Sequence, residues 1–245
     1  MQESASTHTP DIFGEAIRAY YFHQDPENII VHSPDFDDDI IPVPYLFRNQ
    51  EEMPPIEQIA LSHCRGKVLD VGCGAGSHSL YLQDVRKLDV TALDSSVGAT
   101  EVCRLRGIED VQHASFSQFR SEPYDTLLFL MNGTGFIGRL NQIDAFFAKI
   151  KELLHPEGQV LIDSSDLSFL FDRDQDGGIW MDLSKDYYGE ITYQLSYKNL
   201  TSSPFKWLYL DFHTLQLACA KNGFECELIQ EGEHYDYLAR LSLNQ

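Results

Sequence analysis

The segment that most narrows the fold of this chain is Lys67-Val68-Leu69-Asp70-Val71-Gly72-Cys73-Gly74-Ala75-Gly76-Ser77-His78-Ser79-Leu80. Its apolar residues Val68, Leu69 and Val71 read as a short strand covered on both faces, and the glycines that follow let the backbone turn tightly into a helix. Backbone N–H groups at such a turn lie close to whatever binds at the helix N-terminus, so the segment reads as a cradle for a nucleotide cofactor. Spacing separates the cofactor types. A dinucleotide fingerprint carries its third glycine three places after the second, where a pyrophosphate meets the helix end. Here that place is Ser77, and the glycines fall at 72, 74 and 76.

Periodicity extends this unit in both directions. Residues 1–10 are polar and read as disordered, and residues 11–24 as a helix presenting Ile12, Ala16, Ala19, Tyr20 and Phe22. The proline-bearing stretch 25–55, with its acidic run Asp35 to Asp39, reads as extended and loop-rich; Pro54 and Pro55 then open a helix to about residue 62. Strands over 67–72, 88–93, around Val111, 124–131 and 159–163 alternate with helices over 77–83, 97–106 and 140–154. Leu140, Ile143, Phe147, Ile150 and Leu154 recur at helical spacing in the last helix. Such alternation predicts an α/β protein: a doubly wound, mostly parallel sheet in three α/β/α layers, joined by right-handed crossovers. Residues 164–207 are too long for a simple connection. Within them Ile191, Tyr193, Leu195 and Tyr197 alternate with polar residues as in a half-buried strand. A helix over 211–222 capped by Gly223, and strands over 224–230 and 235–243, complete the chain.

From about residue 67 to 163 the sequence resembles the class I S-adenosylmethionine-dependent methyltransferases. Two aliphatic residues, an acid and then Gly-x-Gly-x-Gly match their first motif, and Asp94 ends the second strand eighteen residues after Gly76. Tyr124 to Asn132 resembles their fourth strand and the segment after it, and Leu153 to Ile162 resembles the approach to their fifth strand through a proline and a glycine. A glycine turn alone fits a structural turn or another nucleotide site equally well; four landmarks in register single out this family. The resemblance implies a Rossmann-like fold with an antiparallel C-terminal edge hairpin. It also implies S-adenosylmethionine as cofactor and S-adenosylhomocysteine as product of an in-line methyl transfer. Asp70, Gly72, Cys73 and Gly74 are implied around the methionine part, Met131 with Asn132 at its amino group, and Gly76 and His78 as further cofactor-binding residues. Asp94 is implied at the ribose and Ser95 at the adenine rim. Many members carry an Asp at the end of strand three, whereas this chain has His113-Ala114-Ser115-Phe116, leaving Ser115 and Phe116 to meet the adenine.

Charge speaks about the acceptor. With 18 basic against 38 acidic side chains the formal charge is −20, and no cluster of Lys and Arg forms a stripe that would rescue nucleic-acid binding. The family's Asn/Asp-Pro-Pro-aromatic signature for DNA amino groups is absent from Met131-Asn132-Gly133-Thr134. The expected acceptor is a small molecule, neutral or cationic, with no nucleic acid partner. Five cysteines without a Cys-x-x-Cys pair indicate neither a zinc knuckle nor a disulfide framework, so no metal is expected. The longest apolar run, Leu127 to Met131, is too short to span a membrane, and the N-terminus does not read as a signal peptide; a cytoplasmic protein is expected.

The chain is organised as one domain: a cap over 1–62, a cofactor core over 67–163, an insertion over 164–207 that could serve as a lid, and a C-terminal helix and hairpin over 208–245. Acceptor walls are expected from segments entering the carboxyl edge of the sheet. The candidates are Tyr20, Tyr21, Tyr45 and Arg48 before strand one, Phe136 after strand four, and Tyr187, Tyr188 and Trp207 in the insertion. His213, His234 and Tyr188 are candidate general bases. Two other readings share these residues. One is a non-catalytic S-adenosylmethionine- or nucleotide-binding protein that acts through a protein partner of the acidic, tyrosine-rich insertion. The other is an NAD(P)-dependent oxidoreductase, against which Ser77 argues.

Overall fold

A computed structural model describes residues 9–170 and 186–244. In chain order the elements are helix α1 (Ile12–His23), strands β1 (Ile29–His32) and β2 (Asp39–Ile41), helix α2 (Pro55–His63) and strand β3 (Lys67–Val71). Next come α3 (Ser77–Leu80), β4 (Asp89–Asp94), α4 (Val97–Leu105), β5 (Asp110–His113), β6 (Tyr124–Phe129), α5 (Ile143–Leu153) and β7 (Leu154–Ser165). The remainder holds β8 (Glu190–Tyr197), β9 (Leu200–Thr201), β10 (Phe205–Leu208), α6 (Phe212–Lys221), β11 (Phe224–Glu231) and β12 (Asp236–Leu243).

Among the described residues the strands make two sheets. The larger runs β11-β12-β7-β6-β3-β4-β5. Its β3–β4, β3–β6, β4–β5 and β6–β7 pairs are parallel, whereas β12 runs antiparallel to β7 and to β11 at the edge. The fold is therefore α/β with a mostly parallel sheet and an antiparallel edge hairpin. Both faces are covered because alternate residues point oppositely. Leu69, Leu127, Val160 and Ile162 meet Phe147 and Ile150 of α5 on one face. Val68, Val90, Leu128 and Leu161 meet Ile56, Ala60 and Leu61 of α2 on the other. Strand order reverses at β3, whose neighbours β4 and β6 lie on opposite sides, so a ligand crevice opens beyond the carboxyl ends of these three strands.

The smaller sheet, β10-β8-β1-β2 with β9 on β8, is antiparallel and joins segments far apart in the chain: Ile30 faces Ser196 and His32 faces Gln194. This corrects the loop-rich reading of residues 25–55. β1 and β2 are only four and three residues long; they pair with each other, and β1 is joined to the sheet by β8 more than 150 residues later, so no local pattern reveals the sheet. The alternation read over residues 191–197 is present in β8, with Ile191, Leu195 and Tyr197 buried. Helix α1 also differs from expectation. Its buried face is Ile12, Gly14, Ala16 and Ile17, and Phe22 is half-exposed, because Gly14 and Ile17 turn toward α4. Helix α3 stops at Leu80 and widens into a π turn over Tyr81–Val85. The expectation for residues 1–8 lies outside the described residues, as does that for 171–185 of the insertion. Among the described residues no helix is long and apolar enough to cross a membrane.

Candidate active site

The glycine turn is sewn to the end of β4. The N–H groups of Gly72 and Cys73 donate to the Leu93 carbonyl at 2.8 and 3.2 Å, and Gly74 N–H donates to Asp94 Oδ2 at 2.9 Å. Gly72 and Gly74 have φ of +76° and +55°, and a Cβ on either would meet no protein atom within 4 Å. Both face open space, a cavity of about 1300 Å³ over the carboxyl ends of β3, β4 and β6. Gly76 differs. A Cβ there would overlap Ile108 and Cys103, and the residue is not on the cavity wall, so its glycine serves packing and a left-handed turn rather than a ligand.

Asp94 sits where a nucleoside would need an acceptor. Its Oδ1 takes the Ser96 N–H at 2.8 Å while Ser96 Oγ caps α4, and lone pairs on both oxygens remain for hydroxyl donors. Burial raises its carboxyl above the usual range, with Asp11 and Asp70 adding to the effect and the two backbone N–H groups opposing it. Asp70, also buried, accepts from Ser79 Oγ at 2.6 Å, and burial raises its carboxyl against the opposing pull of His78 and Ser79. Cys73, Ser95, Ser115 and Phe116 line the same cavity. Phe116 stands edge-on to Phe129 with centroids 5.2 Å apart, which fixes one wall.

Two acids that sequence reasoning missed hold this wall in place. Glu57, in the first turn of α2, is buried between Arg48 and His78: it pairs with the Arg48 guanidinium, and His78 Nε2 lies 2.7 Å from its Oε2. Burial works to raise the Glu57 carboxyl, but the hydrogen bonds and charges of His78 and Arg48 prevail and lower it. Arg48 also lies over the Tyr45 ring at 3.9 Å and leaves its Nε buried without a partner among the described residues. Arg48, Tyr45 and His78 all face the cavity. The second acid, Asp163 near the end of β7, accepts backbone N–H groups from Met131 and Asn132 at 3.1 Å and from Gly133 at 2.7 Å. Burial pushes its carboxyl up to about 6 in spite of those donors. Met131 and Asn132 have φ of +66° and +60°, a left-handed pair without glycine that persists because Asp163 pins both N–H groups. An acid closing an apolar strand was the one available signal for Asp163. Glu57 gave none, since an acid in a first helical turn reads as an ordinary dipole partner.

The remaining candidates divide. Tyr45, Arg48, Phe136 and Trp207 reach the cavity with Met131 and Asn132. Tyr20, Tyr21, Tyr187 and Tyr188 do not. Tyr20 packs on Phe47 and Tyr21 donates to the Leu105 carbonyl, because α1 turns them along α4 and residues 43–47. Tyr187 and Tyr188 donate to Asp211 at 2.6 and 3.1 Å and brace the N-cap of α6. His213 lies on α6 and His234 in the exposed turn between β11 and β12, both away from the glycine turn, so neither stands as a base there. Arg106 donates to the Ala75 carbonyl of the glycine turn.

A doubly wound sheet with a glycine cradle and an acceptor carboxylate at its switch point defines a nucleotide-cofactor protein. The family described as "Methyltransferase domain" matches residues 68–158. A SAM-dependent methyltransferase from Bacteroides fragilis, solved in complex with S-adenosyl-L-homocysteine, is 44% identical with a TM-score of 0.89; the match covers 99% of this chain and 100% of that one. This chain belongs to the S-adenosylmethionine-dependent methyltransferases, with S-adenosylmethionine as cofactor and S-adenosylhomocysteine as product. More distant structures share the fold. A sugar N-methyltransferase from Streptoalloteichus sp. is 13% identical over 100% of this chain and 97% of its own, with a TM-score of 0.58. A SAM-bound amino pentose methyltransferase from Micromonospora echinaspora is 16% identical over 77% and 87%, with a TM-score of 0.53. No curated protein sequence matches.

Proposed function

We propose that the chain methylates a small molecule held between the glycine cradle and the antiparallel sheet. One observation carries this reading: Ile40 and Ile41 of β2, Leu195 of β8 and Trp207 of β10 wall the same cavity as Gly72 and Gly74. At about 1300 Å³ that cavity exceeds the roughly 300–1,000 Å³ of a single-ligand pocket, which leaves space for an acceptor beside the cofactor. The −20 charge favours a neutral or cationic acceptor and disfavours nucleic acid. The described residues of the 1–62 cap and of the 164–207 insertion act as the lid of a single domain whose core is residues 67–163.

In this reading Asp70, Gly72, Cys73 and Gly74 hold the methionine part, and the spare Nε of Arg48 meets its carboxylate. Met131 and Asn132 face the amino group. Asp94 accepts from the ribose, and Ser95, Ser115 and Phe116 border the adenine. When bound, S-adenosylmethionine would supply a sulfonium methyl that an acceptor atom takes in line, the C–S bond breaking as S-adenosylhomocysteine leaves. The chain orients both partners and keeps water out, and it need not supply a nucleophile. Tyr45, Phe136 and Trp207 form the acceptor's apolar walls. A crystal structure with S-adenosylhomocysteine tests this: the sulfur is expected beneath Trp207 and Phe136, shielded from solvent. A sulfur open to solvent and remote from the small sheet would overturn it in favour of a macromolecular acceptor.

A further inference from the structure

Asp11 belongs to no motif, yet on the cavity rim it accepts three hydrogen bonds. Its Oδ1 accepts the Gly14 N–H at 2.9 Å and so caps α1; its Oδ2 accepts Ser96 Oγ at 2.9 Å and the Gly98 N–H at 3.1 Å, at the start of α4. One carboxylate thus satisfies the N-termini of two helices, whose positive dipole ends both favour an anion. The helices meet through glycines: a Cβ on Gly98 would overlap the Gly14 backbone. Asp11 is therefore fixed, and it lines the cavity next to Asp94, Ser95 and Ser96.

The charge balance of that cavity gives the position its meaning. Three carboxylates line it, Asp11, Asp70 and Asp94, and none has a Lys or Arg ion-pair partner among the described residues. The cations on the wall are already matched: Arg48 by Glu57, and Lys149 by Glu152 with Nζ 2.8 Å from Oε2. S-adenosylmethionine carries a sulfonium charge that its product lacks. Like-signed carboxylates behind low-dielectric walls therefore act on the one and hardly on the other.

We infer that Asp11 is a positioning residue that makes the chamber discriminate the sulfonium cofactor from the neutral sulfide product, while clasping α1 to the cofactor rim. This rests on the methyltransferase reading. Titration calorimetry with S-adenosylmethionine and S-adenosylhomocysteine tests it on wild type, Asp11→Asn and Asp11→Ser. Both substitutions keep a cap on α1 and remove the charge, at the loss of the second acceptor oxygen toward Ser96 and Gly98. The expected result is a ratio of cofactor to product affinity that falls roughly three- to tenfold in both variants, as a unit charge across a partly screened cavity would give. Thermal midpoints measured alongside are expected to fall through the lost contact to α4, an effect that weakens both ligands alike and leaves their ratio to report the charge. An unchanged ratio, or an equal weakening of both ligands, would reduce Asp11 to a structural cap and overturn the inference with the methyltransferase reading intact. Wild-type chain that binds neither nucleoside would overturn both.

Discussion

The two sheets reach the same cavity by opposite routes. In the parallel sheet β3, β4 and β6 are each followed by a helix, and neighbours such as Val68 and Leu69 are buried on opposite faces, so the apolar runs are continuous. In the antiparallel sheet β1 and β8 meet across most of the chain, β1 and β2 are only four and three residues long, and the buried residues of β8, Ile191, Leu195 and Tyr197, lie on one face. The cofactor half of the site stands on the first, and the proposed acceptor half on the second. The difference teaches that cofactor chemistry here is written locally, whereas the acceptor walls exist only after long-range pairing.

The sharpest way to break that comparison is to cut the tie between the halves. Arg48 comes from the N-terminal segment and His78 from the core, and Glu57 holds both. Glu57→Ala leaves a buried guanidinium uncompensated, so a loss of roughly 3–5 kcal/mol is expected in chemical denaturation. A loss below about 1 kcal/mol would show that the N-terminal segment is only loosely attached to the core.

Asp163 gives the next effect, through pH. Its folded-state pKa of about 6 lies above the unfolded value of 3.8, so between them the folded chain keeps a proton that the unfolded chain has released. Its contribution therefore falls as pH rises from 4 to 6, by an upper bound of about 3 kcal/mol at roughly 1.4 kcal/mol per pH unit. In Asp163→Asn that slope is expected to vanish; an unchanged slope in denaturation across this range would refute the assignment.

How much was legible follows from these same residues. The glycine turn, Asp94, and the order of strands and helices over 67–163 were readable because strand, turn and ligand group are neighbours in sequence. The C-terminal hairpin was readable too. The sheet that holds β1 and β2, the pairing of Glu57 with His78 and the rim position of Asp11 were not, since they depend on β8, on the core and on α4, twenty to more than a hundred residues away. The tyrosines misled for a physical reason: a phenol serves equally as acceptor wall and as half-buried brace, and Tyr187 and Tyr188 brace α6 through Asp211.

Glycine substitutions sharpen the contrast between halves. A Cβ on Gly135 would overlap Trp207, so Gly135→Ala is expected to cost about 1–3 kcal/mol in thermal denaturation and to leave S-adenosylhomocysteine affinity nearly unchanged. Gly74→Ala is expected to do the reverse. It costs only about 1–2 kcal/mol of backbone strain and lowers affinity by more than tenfold, because its methyl projects into the cradle. Equal effects of the two on affinity would erase the distinction. The smallest effect belongs to the exposed pair Arg18–Glu101 between α1 and α4, where Arg18→Ala is expected to cost less than about 1 kcal/mol in the same assay.

The central claim is that the crevice over β3 and β4 takes an adenosyl sulfonium or sulfide and not a dinucleotide. Isothermal titration with S-adenosylhomocysteine and with NAD tests it most directly. The account predicts heat with the first and none with the second, and a weakening of at least about tenfold in Asp94→Ala, which leaves ribose hydroxyls without their acceptor. Heat with NAD and none with S-adenosylhomocysteine would contradict it.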